Sequence, residues 1–136
     1  MLKVNNTALA LRKAREIIEN EENWCTDFLV QKFVTKKLNT TRFLFWAKES
    51  VEQTEQYQQC ALGAIGKAVG LEIEPGITRR VDLERNFAFK ELQGLLNRQA
   101  WEQYHTLDIA EVNNELGHEA VLSCFDAAIA EAESTY

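Results

Sequence analysis

The stretch QCALGAIGKAVGLEIEPG, residues 59–76, constrains the fold more than any other part of the chain. It carries Gly63, Gly66 and Gly70 among small side chains and closes on the only proline, Pro75. A helix over 52–69 would place Cys60, Ala61, Ala64, Ile65 and Ala68 on one side, with the glycines along an adjoining ridge. Each glycine inside a helix costs about 1 kcal/mol relative to alanine. A helix that accepts this cost needs the space, so it is expected to be central and tightly packed. The expected partner is the C-terminal helix, which is also lined with small residues: Ala120, Cys124, Ala128 and Ala132. Ser50, with Gln53 three positions on, has the spacing of a capping box, and Gly70 suits a C-terminal cap. Pro75 and Gly76 suit the two central positions of a type II turn.

The flanking segments complete a mostly helical pattern. Residues 7–22 read as a first helix, capped by Asn6 or Thr7, with Leu11, Ala14, Ile17 and Ile18 on one face. The acidic run Glu19–Glu22 suits the wrong end of the helix dipole, so fraying before Asn23 is expected. Residues 28–34 and 42–47 are rich in aromatic and β-branched side chains, with the polar TKKLNTT between them. This predicts a short β-hairpin, although 28–34 also fits a helix. Residues 86–104 read as a third helix or a broken pair, weakened at Gly94, with Phe87, Leu92, Leu95, Leu96 and Trp101 on its apolar face. The last helix, about 118–133, carries Leu116, Ala120, Val121, Cys124, Phe125, Ala128 and Ala132 on one stripe. The expected fold is a compact, mostly α helical bundle in a single domain, 1–136, with a small hairpin within 28–47.

The composition excludes several classes. With 46% hydrophobic and 26% charged residues, the chain is far from a disordered composition. Its apolar runs stay short of the ~20 residues of a membrane helix, and the N-terminus lacks a signal-peptide core. A cytoplasmic protein with no membrane partner is expected. The three cysteines are odd in number and far apart, which argues against a disulfide framework. Net charge is −6, which disfavours nonspecific nucleic-acid binding. Residues 101–136 hold eight acids and no Lys or Arg. That acidic end is expected to face basic groups of the same chain or of a second copy, and a homo-oligomer is the expected assembly.

The candidate sites follow from chemistry. Arg79, Arg80 and Arg85 in TRRVDLER, followed by Lys90, could hold phosphate or carboxylate through planar, bidentate contacts. They could also pair with the acidic C-terminal helix. His118, at the first turn of the last helix, suits a hydrogen bond toward a ligand; His105 reads as structural. Cys60 carries two readings. It is a small buried side chain, or it is a nucleophile whose only imidazole partners are His118 and His105. If the helix began near 58–59, its dipole would favour the thiolate. No Cys-x-x-Cys or His-x-x-x-His pair is present, so neither zinc nor another cofactor is expected. GAIGKAVG lacks the spacing and the Ser or Thr of a P-loop. Trp24, Trp46 and Trp101 could stack on a ligand but are expected in the core.

Three blocks, LRKAREIIENEENWCT, CALGAI and VNNELGHEAVLSCFDAAI, together resemble an uncharacterised bacterial and phage family, domain of unknown function 6197. The family pattern has an N-terminal helix ending in a Trp-containing turn and a central Cys-x-x-Gly-Ala segment. An Asn-containing turn then precedes a C-terminal helix. This chain reads Asn113-Asn114 where the pattern has Asn-Asp, which weakens any metal or acid–base role there. The resemblance implies a small, mostly helical domain and carries over no catalytic residue. The function expected is therefore a non-enzymatic binding or interaction protein. It would sequester a small anionic, nucleotide-like ligand through Arg79, Arg80, Arg85 and His118, or block a partner protein. The alternative is a cysteine-dependent hydrolase or transferase using Cys60 and His118.

Overall fold

A computed structural model describes residues 2–134. Helix α1 spans Leu2–Ile18 and buries Leu11, Ala14 and Ile18. It starts before the expected 7–22, so Asn6 and Thr7 lie inside it and do not cap it. It stops where Glu19–Glu22 would sit at the negative end of its dipole. Asn20 instead caps a 3-10 turn, Glu21–Asn23, accepting from the Glu22 N–H at 3.0 Å.

A hairpin follows, but its bounds differ from those expected. Strand β1, Val30–Phe43, pairs antiparallel with β2, Trp46–Gln59, through fourteen residue pairs from Val30–Gln59 to Phe43–Trp46. The polar 35–41 segment is part of β1, and Leu44 and Phe45 make the turn. Residues 52–59, expected to be helical, are strand. Pairing with β1 overrides the local cap signal at Ser50, helped by the strand-favouring Val51, Thr54 and Tyr57. Apart from its base, the hairpin stands clear of the core as an arm, with β2 exposed from Trp46 to Tyr57.

Helix α2 is therefore short, Ala61–Ala68, and Cys60 is its N-cap in an extended conformation. It ends in a Schellman turn. Gly70 takes φ +87°, its N–H reaches the Lys67 carbonyl at 3.0 Å, and the Leu71 N–H reaches Gly66 at 3.0 Å. The glycines are needed for space, but not against the C-terminal helix. A Cβ on Gly63 would sit 1.9 Å from the Leu29 carbonyl oxygen, at the base of the arm, and Gly66 faces Ile73 and Leu83. The central and C-terminal helices therefore do not form the expected close pair. Helix α1 is the main packing partner of both.

The 74–77 turn forms as expected, with Gly76 at φ +78° and the Ile77 N–H on the Glu74 carbonyl at 3.0 Å. Helix α3, Arg80–Leu83, leads to α4, Phe87–Tyr104, which Asn86 caps by accepting from the Phe89 N–H at 2.9 Å. The buried line of α4 is Phe89, Leu92, Leu96 and Ala100, whereas Phe87 is 74% exposed and Trp101 is also largely exposed. The inward face is thus rotated from the expected one. A helical turn α5, Ile109–Glu111, widens into a π-turn, Val112–Leu116. Gly117, at φ 99° and ψ −179°, then breaks the chain direction. Few other residues tolerate that backbone geometry.

Helix α6, His118–Ser134, buries Ala120, Val121, Cys124, Phe125, Ala128 and Ala132, as the stripe predicts. Leu116 is exposed and belongs to the π-turn. The buried side chains of these helices form one hydrophobic cluster. Acids of α6 meet cations of the same chain: Glu133 pairs with Arg12, Asp126 with Arg15 at 2.6 Å, and Glu131 with Arg98. The partners come from α1 and α4, not from Arg79, Arg80 or Arg85. Trp24 is partly buried, but Trp46 and Trp101 lie mostly outside the core that was expected to hold them.

Candidate functional site

The densest polar structure in the body centres on Asn113, in the π-turn and 1% exposed. Its Oδ1 accepts from the Trp24 indole N–H at 2.7 Å and from the Ala61 backbone N–H at 3.0 Å. Its Nδ2 donates to the Cys25 carbonyl at 3.0 Å and to Asn114 Oδ1 at 3.2 Å. Both donors and both acceptor positions of the amide are thus in use. Asn114 Oδ1 also accepts from the Asp27 N–H at 3.0 Å, where Asp27 holds a left-handed φ of 67°. One asparagine pair therefore joins the end of the first helical segment, the base of the arm and the N-terminus of α2. A π-turn widens the helix locally and is often found at functional positions.

Beside this junction lies a cavity of about 410 Å³. Its apolar lining includes Leu29, Val30, Leu62, Ile73, Ile77 and Ala110. Its polar lining includes Asp27, Cys60, Glu74, Thr78, Arg79, Arg80 and the two asparagines. The type II turn and α3 bring the arginines here: the turn reverses the chain after α2, and α3 starts at Arg80.

The two arginines are held differently. Arg80 reaches Asp108 at 3.2 Å and Glu84 at 3.4 Å, and Glu84 also accepts from Gln93 at 3.0 Å. Arg79 is 75% exposed along its side chain and has only a long pair with Asp82, at 3.8 Å. Its guanidinium is the more available cation. Arg85 is exposed and is not part of the cavity lining.

Cys60 lines the cavity but is 7% exposed, and its sulfur accepts from the Gly63 N–H at 3.4 Å. Burial pushes its thiol up from the ordinary range. Backbone N–H groups at Gly63 and Leu62, and the charge of Arg80, act the other way but do not prevail. The Cys25 thiol is pushed up to about 12 and that of Cys124 to about 11, each chiefly by burial. All three cysteines are free.

His118 is not in the cavity lining. Its Nε2 lies 2.5 Å from the Ile18 carbonyl, so that nitrogen donates to the open C-terminus of α1, and its ring lies 5.2 Å from that of Trp24. His105 sits in the left-handed turn that ends α4, against Trp101 at 5.6 Å. Of the ligand-facing set expected from sequence, the cavity gathers Arg79 and Arg80, with Cys60 added, and leaves out Arg85 and His118. Asp27, Thr78 and Asn113 were not singled out as site residues. The signal for Asn113 was the Asn-containing turn before the last helix in the family pattern that the sequence resembles. Among the described residues, no cluster of His, Cys, Asp and Glu is arranged to hold a metal ion. No described helix is long and apolar enough to cross a membrane.

A family model described as a family of unknown function (DUF6197) matches residues 3–131. No curated protein and no solved structure matches the chain.

Proposed function

Because the chain belongs to the DUF6197 family of unknown function, we propose its activity from the site itself: it binds a small anionic ligand and is not an enzyme. The observation that carries this reading is the cavity that places Arg79 and Arg80 beside apolar walls. Its volume of about 410 Å³ suits a nucleotide-sized molecule. A guanidinium offers phosphate or carboxylate a planar pair of donors, and Arg79 has little competition for it. Asp27 and Glu74 line the same cavity. The ligand would therefore carry hydrogen-bond donors as well as its anionic group, as a nucleotide does.

Thermal unfolding against a panel of nucleotides and the matching uncharged nucleosides tests this. A ligand at about 100 times its Kd stabilises by about 2.7 kcal/mol. The expected result is a raised melting temperature with at least one anionic member, lost in Arg79→Ala. If no anionic compound raises it, the reading fails.

A cysteine-dependent hydrolase is a second reading, favoured by one observation: Cys60 lines the cavity at the N-terminus of α2. Its thiol is buried, serves as a cap and is held protonated by burial, while the His118 ring is engaged with Ile18. Rapid, selective alkylation of Cys60 in the native protein would restore that reading to first place.

A further inference from the structure

We infer that the β-arm is a contact between copies of this chain, in which β1 of one copy lies on the acidic surface formed by residues 101–119 of a second. The arm exposes large apolar side chains. Val34, Leu38 and Val51 share one face of the ladder and Phe33 lies on the other, all of them exposed, and Leu44 and Phe45 at the tip are each 94% exposed. An isolated two-stranded hairpin is marginal in water, and exposed apolar patches of this kind mark association surfaces. The tip itself breaks turn rules. Two-residue hairpin turns favour Asn, Asp or Gly, and Leu-Phe supplies none of their backbone freedom. Such local conflicts are expected where a residue serves a partner and not the fold.

Charge identifies the occupant. Strand β1 carries Lys32, Lys36, Lys37 and Arg42 and no acid. Lys32, Lys36 and Arg42 share the face of Val34 and Leu38, whereas Lys37 lies on the other face opposite Glu52. Lys32 pairs with Glu55, and Lys36 and Arg42 make no ion pair among the described residues. The complementary surface is at the other end of the sequence. Glu102, Glu111, Glu115 and Glu119 are exposed and make no ion pair among the described residues. Trp101, Leu107 and Leu116, all substantially exposed, lie in the same stretch. The surface is thus acidic and apolar where β1 is basic and apolar.

Its own arm cannot cover this surface. The arm is rooted beside it, through the Asp27–Asn114 hydrogen bond, and leaves along a ladder unbroken over fourteen pairs. At about 3.4 Å per residue the arm reaches about 45 Å, more than the roughly 33 Å diameter of a body of this size. Pairing β1 with β1 of a second copy would oppose cation to cation, and pairing β2 with β2 would oppose Glu49, Glu52 and Glu55 to themselves. Reciprocal arm-on-body contact avoids both and closes a two-fold dimer. A net charge of −6 disfavours an anionic lipid surface as the occupant.

Sedimentation equilibrium of the full chain tests the inference. A dimer is expected at about 50 mM salt, loosening at least tenfold near 0.5 M as the contact is screened. Lys36→Glu with Arg42→Glu, two cations on one face of β1, should dissociate it, and so should Glu111→Lys with Glu115→Lys. The four changes together should restore it, a result that general loss of structure could not give. A monomer under all conditions would overturn the inference, as would a dimer indifferent to both reversals. Flotation of the protein with anionic vesicles, undiminished by the same variants, would also overturn it. None of these outcomes depends on ligand binding at the cavity.

Discussion

At the scale of single residues, Asn113 carries the most. Asn113→Ala would orphan the Trp24 indole N–H, the Ala61 N–H and the Cys25 carbonyl. At 1–3 kcal/mol per buried unpaired group, the expected loss is about 3 kcal/mol or more in urea unfolding. Asn114→Ala, at an exposed side chain that accepts from the Asp27 N–H and from Asn113 Nδ2, should cost less, about 1–2 kcal/mol, because Asn113 Nδ2 keeps the Cys25 carbonyl. Asn113→Asp keeps the acceptor but sets a carboxylate oxygen against the Cys25 carbonyl, so it should also destabilise strongly. The role of Asn113 was hard to read in the sequence because its partners outside the π-turn lie 52 to 89 positions away. Cys60 was easier to read. Small and buried was the right description of its surroundings, and the alternative helix start near 58–59 proved close to its actual place as N-cap.

At the scale of elements, the two interior glycines of different helices should respond with opposite signs. Gly63→Ala would drive a Cβ to within 1.9 Å of the Leu29 carbonyl oxygen, against backbone that cannot swing aside. A loss of about 2–3 kcal/mol is expected. Gly94→Ala, in α4 with nothing near its added carbon, should gain about 0.5–1 kcal/mol from helix propensity. Thermal or urea unfolding of the two variants beside the parent checks both. The glycine-rich stretch announced a close approach correctly but not what approaches. Burial periodicity identified the buried stripe of α6 and the span of α4, but not the inward face of α4, where Phe87 and Trp101 turn outward. It failed over 50–59, where glutamates and glutamines favour a helix and only pairing with a strand twenty residues earlier decides otherwise. The hairpin turn was misplaced for a related reason: Leu44-Phe45 carries no turn chemistry, while the polar 35–41 segment looks like a loop.

At the scale of the whole molecule, the three buried thiols make stability fall at alkaline pH. Each is held above its ordinary value by burial, Cys25 at about 12 and Cys124 at about 11. Above about pH 9 the unfolded chain sheds these protons while the folded chain keeps them, so rising pH favours unfolding. Each such thiol takes about 1.4 kcal/mol per pH unit in that window, until its folded form also ionises. Calorimetry should find this contribution fully present below pH 8 and lost progressively from about pH 9 to about 12, where the folded Cys25 thiol also ionises. Cys124→Ala should make that decline shallower. The arm has a different consequence for the whole. Its strands leave and rejoin the body at neighbouring points, where the Cys60 N–H meets the Leu29 carbonyl at 3.1 Å and the Cys25 N–H meets that of Gln59 at 3.1 Å. A cut at the bare 44–45 tip would therefore fall outside everything that holds the core together. It would leave two fragments, one bringing α1 and the other α2 to α6, that still clasp each other through helix packing and the intact ladder. The polypeptide is in effect two complementary halves joined by a tether at the far end of the arm.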